Sequence, residues 1–106
     1  MENEQRKLII SKSAVETIVN LAAGEIESVY NLSKSANKNT RYTRVNINDG
    51  KVYINVFASF YFGYNLKDEV KNLQENIKSA VENMLGMPAA AVNVYVYDLV
   101  IGQEHQ

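Results

Sequence analysis

Few side chains in this 106-residue sequence could do covalent or acid-base chemistry. There is no cysteine, which removes thiol catalysis, thiolate metal sites and disulfides together, and a single histidine is too little for a transition-metal site. His105 stands second from the end, beyond the last apolar run, where no scaffold would orient a general base. Glu16, Glu27, Asp68, Glu69, Glu75 and Glu82 fall outside the apolar stripes, among amines such as Lys71 and Lys78, and read as surface charge. The five glycines show no dinucleotide or phosphate-loop spacing, and neither a nucleophile elbow nor a zincin helix occurs. Asn31-Leu32-Ser33 has the form of a glycosylation acceptor, but that pattern is common by chance and matters only in an exported chain. These residues point away from an enzyme, and no catalytic residue, cofactor, metal or small-molecule substrate is expected.

Binding chemistry is better represented. Lys34, Lys38, Arg41 and Arg44 follow one another with no acidic residue between them, a run suited to a phosphate, an anionic lipid head or an acidic partner. The plainer reading is a solvated loop. The formal net charge of -1, from 11 basic and 12 acidic residues, supplies no long-range field for nucleic acid or membrane. Met1 to Lys7 is polar, and no apolar run approaches the roughly 20 residues that span a bilayer. The expectation is a cytoplasmic chain forming one domain over 1–106, with an ordered core over about 8–101 and short polar tails.

The elements that would position such residues follow from periodicity. Leu8-Ile9-Ile10 suggests a first strand, and Ser13-Ala14-Val15-Glu16 has the form of a capping box opening a helix to about Glu27. Val15, Ile18, Val19, Ala22 and Ile26 make its apolar stripe. Asn31 to Thr40 reads as a loop. Arg41 to Asn48 alternates, Asp49-Gly50 is a two-residue hairpin turn, and a strand returns from Lys51 to about Tyr61. That turn sets the register, with Asn48 opposite Lys51, Ile47 opposite Val52, Val45 opposite Ile54, and Thr43 opposite Val56. After Gly63, Asn65 caps a second helix with Leu66, Val70, Leu73, Ile77, Val81 and Met84 as its stripe, stopping at Gly86 and Pro88. Val92 to about Leu99 is the last strand. The order β-α-β-β-α-β predicts an α+β fold, a two-layer sandwich of a mainly antiparallel sheet with both helices on one face.

Alternation assigns the helix-free face Tyr42, Arg44, Asn46, Tyr53, Asn55, Phe57, Ser59, Tyr61, Asn93, Tyr95 and Tyr97. Rings there offer contact area at low rotamer cost, so this face is the candidate surface for docking a protein or a second copy, with Tyr42, Arg44, Tyr53, Phe57, Tyr61, Tyr95 and Tyr97 as its contact residues. Cross-strand aromatic pairs also simply stabilise a sheet, by roughly 0.2 to 1 kcal/mol each. The topology and rings further admit a single-stranded RNA-binding module, although Lys51 to Ala58 lacks the glycines of the RNA-recognition motif and the face shows only Arg44 as a clear cation. A third class is a regulatory subunit of a metabolic enzyme, with its site at an interface.

Glu25-Ile26-Glu27-Ser28-Val29, Asp49-Gly50, Tyr61-Phe62-Gly63, Gln74 and Val92-Asn93-Val94-Tyr95-Val96 together resemble the alkaline shock protein family of envelope stress response proteins, over about Leu8 to Ile101. The resemblance implies a bacterial, cytoplasmic, non-enzymatic protein linked to alkaline or cell-envelope stress and, in some members, to the inner membrane surface through partners. It brings no catalytic residues. Ser28 departs from the family's usual glycine, which would cost stability if that position needed positive φ.

Overall fold

The computed structural model describes residues 9–32 and 43–101. Its elements run α1 (Lys12–Gly24), β1 (Val29–Leu32), β2 (Thr43–Asn48), β3 (Lys51–Tyr61), α2 (Leu66–Leu85) and β4 (Ala89–Val100). The α+β, two-layer reading holds, with two helices and four strands. Of the expected first strand, residues 9 and 10 are in no regular element and Leu8 lies outside the described residues, while a strand at Val29–Leu32 stands within the stretch read as the end of helix and a loop.

The helices form where periodicity puts them, but α1 is capped differently. Ser11, not Ser13, is its N-cap, accepting from the Ala14 N–H at 3.1 Å, and the helix stops at Gly24, so Ile26 packs from a turn. In α2, Asn65 caps by accepting from the Asp68 N–H, and Gly86 at φ 69° closes the helix in the left-handed conformation that only glycine adopts without strain. Leu73, Ile77 and Val81 are fully buried, each contributing about 1.5 to 3 kcal/mol of apolar burial, whereas Met84, expected in the same stripe, is exposed.

β3 organises the sheet. It pairs antiparallel with β1 through residues 58–60 and with β2 through residues 51–56, so those two short strands lie end to end along one edge. Its other edge carries β4, in parallel. The hairpin register is the one expected, with Asn48↔Lys51, Val45↔Ile54 and Thr43↔Val56, and the turn uses positive φ at Asp49 (57°) and Gly50 (75°). Val52, Ile54, Val56, Ala58 and Phe60 face one way and form a single core with Val15, Val19, Leu73, Ile77 and Val81, which puts both helices on one face.

Candidate functional site

Opposite the helices, alternation along β2, β3 and β4 presents Arg44, Asn46, Tyr53, Asn55, Phe57, Asn93 and Tyr95 on one surface. Phe57 and Tyr95 are register partners, and their rings stack with centroids 4.8 Å apart and planes 14° from parallel. The Arg44 guanidinium lies 5.9 Å from the Phe57 ring centroid, within cation–π range. Beside them, Asn93 Nδ2 donates to Asn55 Oδ1 at 2.9 Å. Rings and amides thus hold one another in place before any partner arrives.

The face is uneven. Tyr53, Asn55, Phe57 and Tyr61 are half-buried and Ser59 is buried, so the exposed aromatic surface shifts outward to β4, where Tyr95 is 50% and Tyr97 47% exposed. At Tyr97 the pairing with β3 is irregular. The ladder steps from Ala58↔Val96 to Ser59↔Asp98, which makes Tyr97 the bulged residue. Tyr61 meets Tyr30 edge to face at 5.5 Å and 88°. Tyr30 was not among the expected surface residues because β1 is only four residues long and its pairing shifts register between Val29 and Asn31. Tyr42, Lys34, Lys38, Arg41 and His105 lie outside the described residues.

Two observations bear on the other classes. The described order, α-β-β-β-α-β, departs from the β-α-β-β-α-β arrangement that motivated RNA recognition, and the cations on this face among the described residues are Arg44 and, at the hairpin end, Lys51. Among the described residues no three of His, Cys, Asp or Glu are grouped as metal ligands would be, and no helix is long and apolar enough to cross a membrane.

Two of the expected surface carboxylates, Glu69 and Glu82, and also Glu25, instead join elements. Glu69 accepts from buried Ser28, Glu82 accepts from the Ala89 N–H at 2.9 Å, and Glu25 accepts from Asn76 at 2.9 Å. Carboxylates at helix flanks look alike in sequence whether they meet water or a distant N–H, so spacing gave no signal for these contacts.

A further apolar region lies along the outer side of β4. A groove of about 690 Å³ between α2 and β4 is lined by Leu66, Val70, Gln74 and Val96, with Lys67, Asp68 and Lys71 also on its walls. Val96 and Leu99 are exposed nearby.

Comparison with known proteins agrees with this fold. The model of the alkaline shock protein family, described as having a cell envelope-related function, matches residues 1–101. Two similar chains come from Streptococcus pyogenes serotype M6. The uncharacterized protein Spy1614 is 31% identical, the match covering 89% of this chain and 88% of that one; Spy1535, also uncharacterized, is 28% identical over 89% and 79%. Among solved structures, the MamM CTD in its copper form superposes with a TM-score of 0.58 at 13% identity, covering 87% of this chain and 90% of that one. Another MamM CTD structure gives 0.57 at 11% identity, covering 83% and 98%. At such identity the likeness concerns the fold alone.

Proposed function

Since the chain belongs to the alkaline shock protein family, whose described function is related to the cell envelope, we propose that it is a non-enzymatic adaptor or scaffold that works through protein contacts and self-association. The observation that carries this reading is the Phe57–Tyr95 stack on the helix-free face, with Arg44 against one ring and Tyr95 half exposed. A pre-stacked aromatic row next to fixed amides costs little to order on binding, and aromatic and arginine anchors are the residues that dominate protein interfaces. Its place of action is the cytoplasm, reaching the inner face of the membrane through a partner.

The test compares partner capture in the native host by the wild-type chain and by a Tyr53→Ser, Phe57→Ser double variant. Loss of specific partners from a variant that remains folded is the expected result. An unchanged set of captured proteins overturns the assignment of this face.

A further inference from the structure

Among the described residues the sheet has two edges, one made of the short strands β1 and β2 and the other of a single long strand. β1 and β2 occupy one side of β3, and β4, 12 residues long, is the outermost strand on the other. Natural sheets blunt such edges with lysine, proline, bulges or short strands, because an unpaired ladder recruits other strands. β4 carries irregularities near Ala90 and at Tyr97, yet the run from Ala91 to Val96 pairs without interruption and contains no charged residue and no proline.

Hydrogen bonds fix which backbone groups face outward. Val52 N–H donates to Pro88 O at the start of the β3–β4 ladder, and the extra residue near Ala90 then shifts the phase of β4 by one. Beyond that shift, the side chain of Gln74, on α2, donates to Val92 O at 3.1 Å from the outer side. With a period of two, Val92, Val94 and Val96 turn their N–H and C=O groups to the outer edge, and Gln74 engages only the first. A strand bonding to Val94 and Val96 would lie along the groove beside α2, over Leu66 and Val70. It needs small apolar residues on its helix side and polar or aromatic residues on the other. β4 is itself such a strand, with Val92, Val94 and Val96 on one side and Asn93 and Tyr95 on the other.

We propose that β4 pairs antiparallel with β4 of a second copy about a two-fold axis at Tyr95. Val94 of each copy then faces Val96 of the other, using the two outward positions that Gln74 leaves open. Asp98, the one charge in β4, faces Val92, so no like charges meet. The two helix-free faces merge, and the Phe57–Tyr95 row of one copy continues into that of the other. This pairing rests on the self-association proposed above and gives it a surface.

Because the chain has no cysteine, one introduced thiol reports one contact. Directly opposed, non-hydrogen-bonded residues of antiparallel strands have Cα atoms about 4.5 Å apart, inside the roughly 4.4 to 6.8 Å span of a disulfide. Sedimentation equilibrium should give the mass of two chains for the wild type. Mild oxidation should link Tyr95→Cys into a covalent dimer while Leu21→Cys, exposed on α1, stays single. Val96→Lys, which places a charge on the outer edge at an already exposed position, should give the mass of one chain with an unchanged circular dichroism spectrum. A wild-type mass of one chain, or a Tyr95→Cys variant that links no faster than Leu21→Cys, overturns the pairing. A single chain that still loses partners on Tyr53→Ser, Phe57→Ser substitution overturns the pairing alone, whereas a dimer whose capture ignores those substitutions overturns only the docking face.

Discussion

Ser28 Oγ donates a 2.6 Å hydrogen bond to Oε1 of Glu69, joining the turn before β1 to the first turn of α2 across 41 residues of sequence. Ser28 is 1% exposed, and among the described residues Asp49 is the one non-glycine with positive φ, so serine here carries no left-handed strain. The hydroxyl has a definite task that a glycine at this position could not perform. Ser28→Ala should destabilise the fold by about 1.5 to 3 kcal/mol, the range for a hydrogen bond to a charged group. Glu69→Gln, which keeps an acceptor, should cost less. Urea unfolding checks both, and equal midpoints for wild type and Ser28→Ala would show that the bond contributes nothing.

Thr43 presents the opposite situation. It is 6% exposed, and its Oγ1 has no hydrogen-bond partner among the described residues. Valine keeps the shape and the strand preference while removing the unsatisfied group, so Thr43→Val should stabilise by about 1 kcal/mol. For a domain of this size that raises the melting temperature by roughly 4 to 8 °C. A lower melting temperature would count against the assignment of this hydroxyl as unsatisfied.

The β2–β3 hairpin was legible because two independent signals agreed: the turn residues Asp49 and Gly50, and alternation on both strands. Gly50 at φ 75° should be the sensitive position, with Gly50→Ala costing about 1 to 2 kcal/mol and Asp49→Gly close to neutral, as read by thermal unfolding. β1 was not legible, since four residues with one register shift show no alternation, and their pairing is with residues 58–60, distant in sequence. Nor could alternation tell that β4 runs parallel to β3, because period two is the same in either direction. Alternation thus places Arg44, Tyr53, Phe57 and Tyr95 on one surface, and the register shift at Tyr97 interrupts it there.

Whether the Phe57–Tyr95 stack serves the sheet or a partner can be decided by separating stability from binding. A double-mutant cycle with Phe57→Ala and Tyr95→Ala should give a coupling energy of about 0.5 to 1.5 kcal/mol, the part of the pair that belongs to the fold. Phe57→Leu retains apolar volume at a half-buried central position and should cost less than about 1.5 kcal/mol. It nonetheless removes the ring that Arg44 and Tyr95 flank. If the row only holds strands together, Phe57→Leu will capture partners in proportion to its folded fraction, which a loss of this size leaves nearly complete. Docking on the aromatic row requires a different result, a fall in capture far larger than the change in stability, with Leu21→Ser on the opposite layer leaving capture unchanged.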